Sequence, residues 1–266
     1  MREVPKVGYE TNTGIAEGYV TGTPIHDEHI DLWTGLMKEV GRLGSDSRLL
    51  DLGCGFGRFA IPAAKGIGCE VVGADFSEGM LEHARQRPGG DKVTWDRQVA
   101  GELTYADESF DAIFMSNVLH HIDVPEEVVA DCHRVLRPGG ALMFRHGPME
   151  LISSNPEHVF FPEAIAIDEE RVLSTETHEQ LLRDAGMDGV TSRVVDQQPF
   201  QTTDEVVRAA EAKDASIYYL LSDEAYTAGL ARLKEYVAQH PDDPNLTHDQ
   251  MMLTVGYKSK HVIIEE

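Results

Sequence analysis

The 266-residue chain carries 46 acidic side chains against 23 lysines and arginines, a formal net charge of −23, with 41% apolar residues. That apolar share suits a globular fold with a real core. The charge repels phosphate backbones and anionic lipid surfaces, so neither nucleic acid nor membrane is an expected partner. The acids are scattered rather than gathered into a tail, which fits an ordinary acidic enzyme or one adapted to high internal salt.

No apolar run approaches the roughly 18–20 residues of a membrane helix. Met1-Arg-Glu-Val-Pro5 lacks the apolar stretch of a signal peptide, so a cytoplasmic location is the default expectation. Cys54, Cys69 and Cys132 form no CxxC pair and no disulfide framework, and no metal-ligand cluster is visible.

Residues 1–44 carry Ile30, Trp33, Leu36, Met37 and Val40 at helical spacing and read as an N-terminal helical cap. From 45 to 198 strands and helices alternate. Arg48–Leu52 is a short strand, Phe59–Lys65 a helix and Glu70–Asp75 the second strand. Ser77 can cap a helix carrying Met80, Leu81 and Ala84 that stops at Pro88-Gly89-Gly90. Val93–Gln98 and Phe110–Ser116 are the third and fourth strands. Pro125 opens a helix with Val128, Val129, Cys132, Val135 and Leu136 on its apolar face. Arg137-Pro-Gly-Gly140 ends it before a fifth strand, Ala141–Arg145. Residues 147–173 read as a long loop with Phe160 and Phe161. Thr177 and Gln180 suggest a capping box for a helix ended by Gly186, and Val190–Val195 a sixth strand. Residues 199–248 form a helical insertion, patterned over 203–239. Residues 249–266 hold the last strand, Met251–Lys258, and a tail. The fold class is α/β: a Rossmann-like, doubly wound, seven-stranded, mostly parallel sheet with helical cap and lid insertions.

Chemistry concentrates at Leu49-Leu-Asp-Leu-Gly-Cys-Gly-Phe-Gly57, where a strand ends, three glycines alternate and a helix begins. Glycines let a ligand approach the backbone, and ligands of open parallel sheets sit at the carboxyl ends of the strands. Asp75, ending the second strand, can hold ribose hydroxyls. A dinucleotide fingerprint fits less well. Its third glycine slot holds Arg58, the third glycine falls at Gly57, and Asp51 is an acid that fingerprint does not demand.

Five segments in order resemble the class I S-adenosylmethionine (SAM)-dependent methyltransferases, most nearly the small-molecule group containing quinone-biosynthesis C- and O-methyltransferases. They are Asp51-Leu-Gly-Cys-Gly-Phe-Gly57, Val72-Gly-Ala-Asp-Phe-Ser-Glu-Gly-Met80, Ser109-Phe-Asp-Ala-Ile113, Asn117-Val-Leu-His-His-Ile122 and Arg134-Val-Leu-Arg-Pro-Gly-Gly140. The resemblance implies SAM as cofactor and S-adenosylhomocysteine (SAH) as product. It implies Asp51, Gly53, Cys54 and Gly55 at the methionine end, Asp75 on the ribose, and Phe76 and Met80 beside the adenine. Asn117 and Leu119 would meet the methionine moiety. Many relatives bond the adenine amino group with an Asp after the third strand. Val99 fills that slot here, leaving the backbone of Ala100, or Glu102, for the task. Met80 and Phe76 have ordinary packing as the other reading.

Methyl transfer from a sulfonium asks the protein mainly to align a nucleophile and exclude water, and for a base only where the acceptor holds a proton of high pKa. His146, following the fifth strand, is the first candidate, then His121, Tyr19, His26 and His29. His120 and His121 have local backbone contacts as an alternative role. The insertion with Tyr218, Tyr219, Tyr226, Leu230 and Leu233 is expected to be a lid, or equally helices packed for stability or a dimer contact; monomer and homodimer both stand. Ser116-Asn-Val-Leu119 is not the [ND]-P-P-[YF] of base-amine methylation, so a small-molecule acceptor is expected. A non-catalytic SAM-binding sensor or partner subunit, and more remotely a nucleotide-cofactor oxidoreductase, are the rival functions.

Overall fold

The computed structural model describes residues 13–152 and 155–260. The outer ends of the expected N-terminal cap and C-terminal tail, 1–12 and 261–266, lie outside the described residues. In chain order the elements are α1 (Thr13–Gly22), α2 (Asp27–Val40), β1 (Arg48–Leu52), α3 (Ala60–Gly66), β2 (Glu70–Asp75), α4 (Glu78–Gln86), β3 (Thr94–Arg97), β4 (Phe110–Ser116), α5 (Pro125–Val135) and β5 (Leu136–His146). They continue with α6 (Met149–Ile152), α7 (Pro156–Phe160), α8 (Glu163–Arg171), α9 (Thr175–Asp184), β6 (Met187–Gln197), α10 (Thr203–Ala212), α11 (Asp223–Gln239), α12 (Pro244–Thr247) and β7 (Asp249–Lys258).

The sheet order is β3-β2-β1-β4-β5-β7-β6, with β7 antiparallel to both neighbours and the other pairings parallel. This is the expected Rossmann-like arrangement. Strands buried on both faces need two apolar layers, and the molecule supplies them. Trp33 and Met37 of α2 and Phe59 before α3 pack on one face with Leu49, Phe114 and Met143. Val128, Val129 and Cys132 of α5 and Leu181 and Leu182 of α9 pack on the other with Leu50, Ile113, Leu142 and Phe144. Each such fully buried side chain contributes about 1.5–3 kcal/mol.

Some boundaries move. β5 begins at Leu136, so Pro138 and the two following glycines belong to the strand, at a register shift opposite Phe110 and Ala112. The cap of α9 is Ser174, whose hydroxyl accepts from the Thr177 N–H, not Thr177 itself. The largest correction is residues 147–173. They form three short helices rather than a loop. Phe160 and Phe161 anchor them in a separate core with Val206, Ile217, Tyr218, Leu233 and Val237 from the insertion. A buried network also binds them: His158 Nε2 to Asp168 Oδ2 at 2.8 Å, Arg171 Nε to Asp168 Oδ1 at 2.5 Å, and Arg171 Nη1 to Ser216 Oγ at 2.7 Å. α1 joins this layer. A Cβ on Gly18 would lie 2.4 Å from the Ala212 carbonyl oxygen, so only glycine allows the helices so close. Among the described residues no helix is long and apolar enough to cross a membrane.

Candidate active site

The carboxyl ends of β1, β2, β4 and β5 open into a cavity of about 770 Å³ roofed by α1 and residues 155–217. Its floor is the turn after β1. Gly53, Gly55 and Gly57 all have positive φ, at 75°, 53° and 78°, a region only glycine enters freely. The Gly53 and Cys54 N–H groups donate to the Ala74 carbonyl at 2.8 and 3.0 Å, tying the turn to β2. A Cβ on Gly57 would come within 2.5 Å of Trp95, so that glycine serves packing. A Cβ on Gly55 would meet only the Met80 sulfur, at 4.0 Å. Its absence leaves cavity space against bare backbone.

Two carboxylates flank the turn. Asp75 accepts from the Gly55 N–H at 2.8 Å and the Ser77 N–H at 2.9 Å, which fixes its orientation while each oxygen keeps a lone pair. Burial raises its pKa and these backbone bonds oppose the rise. Asp51 is 3% exposed, and its Oδ2 is buried without a hydrogen-bond partner. Burial, then the neighbouring Asp75, pushes its pKa up to about 7. An orphaned carboxylate oxygen is costly, and a donor from a ligand would satisfy it.

The cavity brings together most of the residues the sequence nominates. Asp51, Gly53, Cys54, Gly55, Asp75, Phe76, Met80, Val99, Ala100 and Asn117 all line it, as do Tyr19 and His121, with His120 beside them. Asn117 adopts a left-handed φ of 55° and donates its N–H to the Arg145 carbonyl at 2.8 Å. Asparagine enters this region more readily than other non-glycine residues, and here the conformation turns the chain at the end of β4 into the cavity wall.

Four nominations fail, His29 among them. Leu119 turns into the core with α5 and is absent from the cavity wall. His146 points through the sheet to the opposite side. Side chains alternate along a strand, and His146 shares the face of Leu142 and Phe144, stacking on His178 of α9 at 3.6 Å and bonding Thr254 Oγ1 at 3.0 Å. Burial and two neighbouring positive or titratable groups, His178 and Arg145, hold it neutral, its pKa driven down to about 2. His26 bonds Glu205 of α10 at 2.9 Å and lies outside the cavity wall.

The residue one before His146 is the one that matters. Arg145 lines the cavity, donating to Ser116 Oγ at 3.1 Å and to Gln197 Oε1 at 3.0 Å. The same oxygen accepts from Trp33 Nε1 at 2.7 Å and meets His29 Nε2 at 3.0 Å. Because that oxygen can only accept, His29 Nε2 carries the proton. Its Nδ1 then accepts from Arg58 Nη2 at 3.2 Å. His29 is therefore a neutral connector, its pKa lowered to about 3 by burial and then by the two arginines, and no proton acceptor for chemistry. Arg58 carries a sequence signal of its own: a cation just before the N-terminus of α3, where the macrodipole disfavours it.

Residues 50–144 match the family model described as "Methyltransferase domain". The 27-O-demethylrifamycin SV methyltransferase of Amycolatopsis mediterranei is 33% identical over 169 residues, 58% of this chain and 59% of that protein. The demethylmenaquinone methyltransferase of Clavibacter sepedonicus is 39% identical over 109 residues, 40% of this chain and 44% of that one. The chain thus spans about half the length of these relatives. Among solved structures, phosphoethanolamine N-methyltransferase 2 of Haemonchus contortus, in complex with S-adenosyl-L-methionine, aligns with a TM-score of 0.63 at 20% identity, over 96% of this chain and 61% of that one. The [4+2]-cyclase SpnF aligns at 0.62 and 20% over 98% and 99%. At such identities the likeness is one of fold.

Proposed function

We propose that this chain, a class I SAM-dependent methyltransferase of the small-molecule, quinone-biosynthesis-like group, transfers the methyl group of SAM to a small acceptor held under its helical roof. Bound SAM supplies a methyl already activated by its positive sulfur. The residues fit that group. Gly55 leaves the backbone bare where the cofactor lies, Asp75 offers its remaining lone pairs to the ribose hydroxyls, and the orphaned oxygen of Asp51 receives a donor from the methionine end. Phe76, Met80, Val99 and Ala100 border the adenine. The single observation that carries the reading is the pairing of the unpartnered Asp51 Oδ2 with an oriented Asp75 across an open glycine turn.

The protein's share of the chemistry is placement. The sheet edge fixes the methyl donor, and the roof of α1, α7, α8 and the insertion excludes water and orients the acceptor. Of the nominated bases His121 lies on the cavity wall, with His120, Glu157, Asp214 and Asp249 as further groups able to take a proton where the acceptor has one to lose; Tyr19, also on the wall, would do so only as its phenolate. The test is incubation of the protein with SAM and fractionated small-molecule extracts, with SAH release as the readout. Release dependent on one fraction is the expected result. No release from any fraction by protein that binds SAM would favour a binding role without catalysis.

A further inference from the structure

Arg58 and Arg145 both line the cavity and flank one ring, their guanidinium carbons 5.5 and 5.4 Å from the centroid of Phe59. Arg145 is 4% exposed. The hydrogen-bond partners of both are neutral: His29 for Arg58, Ser116 and Gln197 for Arg145. The Nε of each is buried without a partner. Two like charges are thus held near each other, Arg145 buried and Arg58 half-buried, each with a spare donor in a buried Nε. Removing a charge from water without a directly bonded counter-charge is costly, and such sites persist where a ligand supplies that partner.

Resting on the methyltransferase reading above, we propose that Arg58 and Arg145 form the receptor for an anionic group, carboxylate or phosphate, on the methyl acceptor. The planar fork of a guanidinium matches the oxygens of either group. An oxyanion here accepts from the two spare donors and offsets the repulsion between the arginines. The scaffold is set in advance: Gln197 holds Arg145, Trp33 and His29, and His29 holds Arg58, so little ordering remains on binding. The cavity carboxylates do not already fill the role. Asp214 and Asp249 offset part of the arginines' charge at a distance but make no direct hydrogen bond to either, so the spare donors stay open to a ligand. Asp214 and the half-buried Glu157 line the cavity from the roof and Asp249 from the start of β7, where they would face hydroxyl or amine donors of the same molecule.

The test uses SAH-saturated protein and three probes, benzoate, its neutral isostere benzamide, and inorganic phosphate, with affinities from calorimetry. At least one anion should bind about tenfold or more tightly than benzamide, the ratio expected for one hydrogen bond to a charged group. Preference for benzoate assigns a carboxylate-bearing acceptor and preference for phosphate a phosphorylated one. Arg58→Gln and Arg145→Gln should each lose that advantage, while Arg58→Lys and Arg145→Lys, which keep the charge, recover part of it and guard against a folding defect. Benzamide binding as well as both anions, or anion binding unchanged in both Gln variants, overturns the proposal. So does loss of SAH affinity in the Gln variants with no anion binding beside SAH, which would give the arginines to the cofactor's own carboxylate. Failure of wild-type protein to bind SAH at all would instead remove the methyltransferase reading beneath it.

Discussion

The floor and the roof of the cavity are built on different physics. The floor is the edge of a parallel sheet, where backbone does the work: three glycines at positive φ, N–H groups tied across strands, and Asp75 clamped by two of them. The roof is side chains: an aromatic core around Phe161 and Tyr218, and a buried His158–Asp168–Arg171–Ser216 network. A backbone cradle suits a ligand that does not vary, whereas side-chain surfaces can be exchanged to suit an acceptor. The division predicts that floor changes act on cofactor and roof changes on turnover.

The largest effect should come from the floor. Asp75→Ala removes the ribose acceptor and the anchor of Gly55 and Ser77 together, and SAM affinity should fall about 100-fold or more. Calorimetry checks this, and a loss under about threefold would break the assignment. Asp51 should reveal itself through pH. An ordinary aspartate ionises near 4, and this one near 7 when folded. Between those values the unfolded chain ionises first, so native stability falls as pH rises and the deficit is complete above 7. Asp51→Asn should therefore stabilise the cofactor-free protein at pH 8 by on the order of 1–4 kcal/mol, with little gain at pH 4. Denaturant melts at the two values decide it; equal gains at both would show that the charge is not the cause.

The roof should fail separately. A Cβ on Gly229 would sit 2.1 Å from the Phe161 ring, which is 1% exposed and has nowhere to move. Gly229→Ala should cost about 1–3 kcal/mol by overpacking, lowering turnover while SAM affinity stays within about twofold. A matching loss of SAM affinity would mean that floor and roof are one cooperative unit. The smallest effect on turnover belongs to His146→Gln, since that ring lies behind the sheet. Its signature is in acid. His146 and His178 stay neutral when folded, with pKa values near 2 and 4. The unfolded chain binds protons first as pH drops through about 6.5, so stability is lost below that value. The variant should melt with a shallower acid dependence; an unchanged slope would remove the pair from the account.

The floor was legible in the sequence because its determinants are local. A strand run, alternating glycines and a carboxylate at the next strand's end stand in order along the chain. The roof was not, because residues 147–173 are punctuated by Pro148, Pro156 and Pro162 into helices too short for a periodic pattern, and their partners lie far along the chain in the insertion, Ser216 standing 45 residues from Arg171. The misplaced His146 is a parity error. Leu142 and Phe144 mark one face of β5, and counting by twos sends His146 with them and Arg145 to the cavity. Gln197, the hinge of the arginine scaffold, has no signal in one sequence, since its three donors arrive from α2 and β5.

The most direct measurement is a calorimetric titration of the folded protein with SAH, run beside NAD. Saturable binding of SAH at one site per chain, with no heat from NAD, is the expected result. Folded protein that takes up NAD and leaves SAH untouched would contradict the account at its root.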